Sequence, residues 1–325
     1  PGEEAPPRYQ GGGKNFSESK NSFSAALGKL LWEGAPADGR IAAVTAAMTD
    51  GVGLSEFAEK FPERFFETGI SESYAVAMAA GMAKGGMRPV VCLYSTFLQR
   101  AYDQIVHDVC ISSLPVLFCV DRAGFVGADG KTHQGLFDVS FLRGIPNLDV
   151  YAPKDCAELA DLFDFAMERG RPAAIRYPNG YAKNLGCVRR ISENCLWEIV
   201  SPGDGVAVLA SGARAVARAL EAKKLVSPLD PMIVNCRTVS PLDEKLLKEI
   251  AGRQIVAFEE GYESGGFGGA VAEFYADNAL PVRLKIMGAP KKFVAHAGAE
   301  EQAQACRLTA GDLALKIRAL FAREQ

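Results

Sequence analysis

Short apolar runs that alternate with segments of helical spacing constrain this chain more than any other feature. In the first half, Ile41-Ala-Ala-Val-Thr45, Val90-Val-Cys-Leu-Tyr94, Leu114 to Val120 and Ala173-Ala-Ile-Arg-Tyr177 have the length and composition of strands. Between them, Ser71 to Gly85, Thr96 to Ser112 and Asp155 to Arg169 carry helical periodicity. Strand and helix in alternation bury their apolar faces together in a mostly parallel sheet covered on both sides. The second half repeats the plan: strands are expected near Val206–Ala210, Met232–Asn235 and Gln254–Phe258, and helices near Ala213–Leu225, Leu242–Ile250, Gly268–Asp277 and Glu300–Arg323. The expected fold class is α/β, two doubly wound domains with mostly parallel sheets. The polar, aperiodic stretch Pro178 to Asn194 divides them, giving a linker 1–19, a domain 20–180, a linker 181–195 and a domain 196–325.

A length of 325 residues suits two domains, and 48% hydrophobic content fills two cores. Thirty-six Lys and Arg against 39 Asp and Glu give a formal charge of −3 with no basic block, which argues against a nucleic-acid partner. No apolar stretch is long enough for a membrane span, and no signal-peptide pattern opens the chain, so a soluble protein is expected. The eight cysteines form no Cys-x-x-Cys pair and lie mostly in apolar runs, as expected of buried, reduced thiols in a cytoplasmic protein. Pro1 to Gly13 has linker composition and no initiator Met, which reads as a start inside a longer polypeptide.

The densest chemistry follows the third expected strand. Asp121-Arg-Ala-Gly-Phe-Val-Gly-Ala-Asp-Gly-Lys-Thr-His-Gln-Gly135 packs Arg122, Asp129 and His133 among glycines at the carboxyl end of a strand, where open α/β sheets bind ligands. A long surface turn would explain the glycines; an Arg, an Asp and a His together favour a polar-ligand site. Ser71-Glu72 reads as an N-cap serine and an acidic first turn, so Glu72 has an ordinary role open to it against the helix dipole. Phe97 and Arg100 are three apart on the helix that follows Tyr94 and share a face with it. Core packing for Phe97 and a solvated ion pair for Arg100 are the plain alternatives.

These residues also carry a resemblance. Tyr94-Ser-Thr-Phe-Leu-Gln-Arg-Ala-Tyr-Asp-Gln104, Asp121-Arg-Ala-Gly124, Val126-Gly-Ala-Asp-Gly130, Thr132-His-Gln-Gly135 and Ile175-Arg-Tyr-Pro178 resemble the pyrimidine-binding domain of transketolase-like thiamin-diphosphate enzymes. Within that group the match is to the 1-deoxy-D-xylulose-5-phosphate synthases. Val234-Asn-Cys-Arg-Thr-Val-Ser-Pro-Leu-Asp243, Glu259-Glu-Gly261 and Gly265-Gly-Phe-Gly-Gly269 resemble the carboxy-terminal domain of the same family.

The resemblance implies roles residue by residue. Glu72 corresponds to the glutamate that hydrogen-bonds the aminopyrimidine of thiamin diphosphate, passing the proton that lets the exocyclic amine deprotonate the thiazolium. Phe97 corresponds to the aromatic stacked on that ring and Arg100 to a polar contact beside it. Arg122 and Arg176 correspond to phosphate-binding arginines, with Tyr94 and Asp129 adjacent, and His133 to a histidine near the reacting carbons. The implied reaction condenses pyruvate, with loss of carbon dioxide, onto D-glyceraldehyde 3-phosphate to give 1-deoxy-D-xylulose 5-phosphate. A homodimer is implied as well. His107 and His296 are read as structural.

Two departures qualify that expectation. Family members usually carry His two residues after the glutamate, whereas Tyr74 stands there in this chain. The Mg²⁺ and diphosphate motif belongs to an amino-terminal domain, expected on the same or a separate chain. Gly203-Asp-Gly205 with Asn235 imitates that motif, but it precedes a strand where the metal motif follows one, so no metal ligand is assigned here. The chain is therefore expected to hold half an active site, to bind thiamin diphosphate weakly by itself and to be inactive in isolation. The rivals are a β-type subunit of a 2-oxo-acid dehydrogenase, a split transketolase, and a non-catalytic module that only dimerises or binds a sugar phosphate.

Overall fold

Six strands form in the first half: β1 (Ile41–Thr45), β2 (Phe65–Glu67), β3 (Arg88–Tyr94), β4 (Leu117–Asp121), β5 (Asp149–Tyr151) and β6 (Ala173–Arg176). The second half adds β7 (Glu198–Ser201), β8 (Ala207–Ser211), β9 (Met232–Asn235), β10 (Thr238–Ser240), β11 (Gln254–Tyr262) and β12 (Arg283–Ala289). The structure is a computed structural model describing residues 22–180, 183–186 and 190–322. The linker expected at 1–19, part of that at 181–195, and Cys187 lie outside the described residues. The seven described cysteines are free thiols, most of them buried.

A seven-stranded sheet runs β10-β5-β6-β4-β3-β1-β2 and a five-stranded sheet runs β12-β11-β8-β9-β7. Both are parallel except at one edge each, where β10 lies antiparallel to β5 and β7 antiparallel to β9. The α/β expectation holds, with one crossing: β10 belongs to the second half of the sequence but completes the first sheet. Strands β1, β4, β6, β8, β9 and β11 are buried at every residue, as parallel strands covered on both faces must be. Alternation along β11 joins the halves. Ile255 and Ala257 pack into the core that also holds Phe118 and Val120, while Val256 and Phe258 face a second core with Val216, Leu313 and Ile317.

Two expected helices differ in form. The segment expected from Glu300 to Arg323 is two helices, Ala299–Ala305 and Ala310–Phe321. Arg307 takes φ of 57° between them, and Thr309 and Asp312 form a reciprocal capping box that starts the second helix. The segment after β3 winds unevenly: α-turns at Ser95–Leu98 and Tyr102–Gln104 flank a 3₁₀ turn at Gln99–Ala101, and a π-turn follows at Ile105–Cys110.

Strand order makes the functional geometry. The chain leaves β1 toward β2 on one side and β3 toward β4 on the other, so the loops at their carboxyl ends diverge. This switch point is the crevice where doubly wound sheets take ligands.

Candidate active site

Glu67 holds the loop after β1. Its carboxylate accepts Thr49 Oγ1 at 2.6 Å, the Gly69 N–H at 3.1 Å and also the Ala47 N–H. Ala47 keeps a left-handed φ of 57° under that restraint. Three residues after Gly69, Glu72 opens the helix Glu72–Lys84, and its side chain is only 4% exposed. Its one described partner is Arg100 Nη1 at 3.4 Å, on a guanidinium that is 58% exposed. Ser71 stands at the N-cap position but its hydroxyl caps nothing, and Tyr74 is exposed.

The Tyr94 and Phe97 rings stack with centroids 5.9 Å apart and planes at 18°. His133 meets the Phe97 ring edge-on at 5.3 Å, and the Arg100 guanidinium lies 5.7 Å from the same centroid. The Arg122 guanidinium lies 3.9 Å from the Tyr94 centroid. Burial, reinforced by Asp121, Asp129 and Asp50 and opposed by Arg122, pushes the Tyr94 phenol up to about 12. Tyr94 therefore remains an O–H donor across the biological pH range.

Arg122 is 3% exposed and left-handed, with φ of 58°. Its Nη1 donates to the Gly51 carbonyl at 2.6 Å and pairs with Asp121 at 3.1 Å, whereas its Nε has no partner among the described residues. Asp121 also accepts Ser24 Oγ at 2.6 Å and the Arg122 N–H at 2.7 Å. Burial raises the Asp121 carboxyl against the opposing pull of Arg122 and Ser24. A buried guanidinium nitrogen without an acceptor is costly.

The loop bearing His133 is fastened at several points. Thr96 Oγ1 donates to the Thr132 carbonyl at 3.0 Å, and Thr132 Oγ1 lies 2.9 Å from His133 Nδ1. Asp129 is exposed at the end of the turn Gly127–Asp129. Contacts thus connect Glu72, Arg100, Phe97, Tyr94, His133 and Arg122, and Asp129 reaches the group through its charge on Tyr94. Arg176 stands apart. It is in register with Val120 on the neighbouring strand, but its buried guanidinium donates to Asp138 at 2.9 Å and to the Glu260 carbonyl at 3.2 Å.

The metal-motif imitation dissolves in three dimensions. Asp204 precedes β8 while Asn235 ends β9, and the parallel register Ala207↔Met232 to Ala210↔Asn235 puts them at opposite ends of the sheet. Asn235 instead donates to Glu158 at 2.7 Å. No group of His, Cys, Asp and Glu among the described residues is arranged to hold a metal ion. No described helix is long and apolar enough to cross a membrane.

Several contributors escaped sequence reasoning. Asp121 was in view, directly before Arg122 at a strand end, and that adjacency was the available signal. Glu67, Ser24 and the Gly51 carbonyl carry no local signal. His296, expected to be structural, lies against the loop: a Cβ on Gly130 would fall 3.5 Å from its ring.

A doubly wound sheet whose switch point gathers a buried carboxylate, stacked aromatic rings and an incompletely bonded arginine defines a two-domain α/β protein with these groups collected at its strand ends. The chain belongs to the transketolase family: the family model for the transketolase pyrimidine binding domain matches residues 19–183, and that for the transketolase C-terminal domain matches 196–313. The 1-deoxy-D-xylulose-5-phosphate synthase of Caldanaerobacter subterraneus subsp. tengcongensis is 44% identical over 293 residues, covering 89% of this chain and 47% of that protein. The synthase of Symbiobacterium thermophilum is 42% identical over 336 residues, covering 99% of this chain and 51% of its own length. The chain thus spans about half the length of these curated relatives. Among solved structures, a split-gene transketolase described as an inactive β4 tetramer superposes with a TM-score of 0.83 at 27% identity, covering 93% of this chain and 99% of that one.

Proposed function

We propose that this chain supplies the pyrimidine side and the acceptor side of a 1-deoxy-D-xylulose-5-phosphate synthase, joining pyruvate to D-glyceraldehyde 3-phosphate. The observation that carries the reading is Glu72, a carboxylate buried beside the Phe97–Tyr94 wall with Arg100 as its one described partner. Those groups fit thiamin diphosphate: a buried acceptor for a protonated ring nitrogen and an aromatic surface for a flat ring. When bound, thiamin diphosphate supplies the electron sink for decarboxylation and carbon–carbon bond formation. Glu72 holds and returns a proton at the pyrimidine nitrogen, and Phe97 and Arg100 orient that ring. Arg122 binds the acceptor phosphate through its unshared Nε, Tyr94 and Asp129 frame it, and Arg176 joins them by leaving Asp138. His133 donates to the aldehyde oxygen.

Magnesium and the diphosphate are held outside these two domains in this reading, and the working protein is a cytoplasmic homodimer with the domain limits given above. A second reading, half of a split transketolase, is favoured by the near-complete coverage of the split-gene chain.

The test combines this chain with the half of the Caldanaerobacter relative that the match leaves uncovered, with thiamin diphosphate and Mg²⁺. Pyruvate and D-glyceraldehyde 3-phosphate should yield 1-deoxy-D-xylulose 5-phosphate, and Glu72→Ala should abolish it. Turnover of a ketose phosphate donor in place of pyruvate would select the transketolase reading. Equal turnover by the Glu72→Ala variant would refute both.

A further inference from the structure

Gln302 belongs to the short helix Ala299–Ala305 of the second half, yet its buried side chain, in a residue 1% exposed, bonds both backbone groups of one residue of the first. Its Oε1 accepts the Gly127 N–H at 3.1 Å, and its Nε2 donates to the Gly127 carbonyl at 3.5 Å and to the Ala295 carbonyl at 3.0 Å. A primary amide that serves both polar groups of one residue does what a neighbouring strand does in a ladder. The connection continues inward. The Gly127 carbonyl also accepts the Gly130 N–H at 3.2 Å, and the Gly130 carbonyl accepts the His133 N–H at 3.1 Å. Two successive turns therefore run from the clamped residue to the imidazole that meets Phe97.

The fit is close because Gly127 is left-handed, with φ of 69°, and a Cβ there would lie 3.3 Å from the Ala299 backbone nitrogen. Within the loop, Gln134 Oε1 accepts the Val126 N–H at 3.2 Å. Arg214, also of the second half, donates to the Phe125 carbonyl at 2.7 Å. The carboxy-terminal half is thus the mould against which the Arg122–Gly135 loop is set.

We propose that Gln302 is a positioning residue that fixes the Gly127–His133 turn, and with it the placement of His133 and Asp129 relative to the Phe97–Tyr94 wall. The inference rests on the acceptor-side reading of that loop. Gln302→Met keeps length and volume while removing both hydrogen-bonding groups, and Gln302→Glu keeps the acceptor for Gly127 while losing the donor.

Hydrogen–deuterium exchange of the full chain reads the clamp without any cofactor. Gln302→Met should speed exchange in residues 126–134 by about tenfold and leave β3 and β4 unchanged, with Gln302→Glu between it and the parent. Unchanged exchange in 126–134, or an equal rise in β3 and β4, overturns the proposal. In the hybrid enzyme, Gln302→Met should lower kcat/KM for D-glyceraldehyde 3-phosphate about tenfold, with part of the loss in kcat because His133 moves with the turn. A loosened turn with an unmoved kcat/KM for D-glyceraldehyde 3-phosphate overturns the positioning role. A hybrid that makes no product even with Gln302 intact counts against the enzyme reading, and the exchange result alone then decides the clamp.

Discussion

Glu72 and Arg100 face each other at 3.4 Å from separate helical segments, the carboxylate buried and the guanidinium mostly in solvent. Such a pair adds little to stability, because water screens the exposed partner. The carboxylate is nonetheless kept out of water, so the contact with Arg100 is the one hydrogen bond described for a buried acid.

Replacing Glu72 with Gln keeps the shape and removes the titrating group. Turnover of the hybrid enzyme should fall by about 10²–10⁴, the span attributed to a positioned acid–base group. The melting temperature of the chain should move by no more than about 3 °C, since an ion pair of this exposure contributes about 1 kcal/mol at most. Steady-state assay beside a thermal melt checks both; a large loss of stability would show that Glu72 serves the fold.

Gly51 approaches Tyr94 closely. A Cβ at position 51 would lie 1.9 Å from the phenol oxygen and 3.0 Å from the ring carbon bearing it. Gly51→Ala should therefore displace the Tyr94 ring, disturb the Arg122 stack and cost about 1–3 kcal/mol, as overpacking does. Adding Tyr94→Phe removes the nearer atom and should recover part of that loss. Urea denaturation of the single and double variants reads the coupling, and strictly additive effects would contradict the contact.

Much of this geometry was written in the sequence, for reasons that can be traced. The strands Ile41–Thr45 and Met232–Asn235 and the helix Ala213–Leu225 match their expected limits, because long or mostly apolar segments carry strong patterns. β2, β5 and β10 have three residues each and give periodicity no room to appear. β12 was readable, since Arg283-Leu-Lys-Ile alternates in exposure with period two. So was the break before Ala310, since Thr309 and Asp312 have capping-box spacing. The clustering of Tyr94, Phe97, Arg100, Arg122 and His133 followed from strand ends. The turning of Arg176 toward Asp138 and Glu260 did not, because it depends on how the second half docks.

Lys154 tests that docking. It is fully buried, with Asp155 at 3.8 Å and Glu158 and Glu198 both at 3.6 Å, the last on β7 of the second half. Lys154→Met should destabilise the chain by about 3–5 kcal/mol by removing a buried cation that three carboxylates share, with Arg237 at 3.3 Å remaining beside Glu158. Glu158, already raised by burial, can then be relieved by protonation, so the deficit should shrink as pH falls. Urea midpoints at neutral and mildly acidic pH give the comparison, and a pH-independent deficit would point to lost packing instead.

Glu260 gives the opposite bias in its own ionisation. Burial pushes its carboxyl up, but Arg214 and Arg218 together outweigh burial and hold it below the ordinary glutamate value. Arg214 donates at 3.1 Å, and Arg218 bonds the other oxygen while reaching Glu300 at 3.0 Å. A folded pKa below the unfolded one means that the unfolded chain binds the proton more readily. The stabilisation is therefore fully present above the unfolded value of about 4.3 and is lost as pH falls through the lower folded value. Glu260→Gln should cost about 3–5 kcal/mol at pH 7, where it leaves Arg218 buried without its main partner. The gap between parent and variant should hold down to about pH 5 and then narrow as the parent takes up its proton. Urea midpoints measured from pH 7 to pH 3 follow that gap directly. A difference that stays constant to pH 3 would mean that hydrogen-bond geometry, which Gln disturbs at every pH, holds this junction, and that the charge of Glu260 does not.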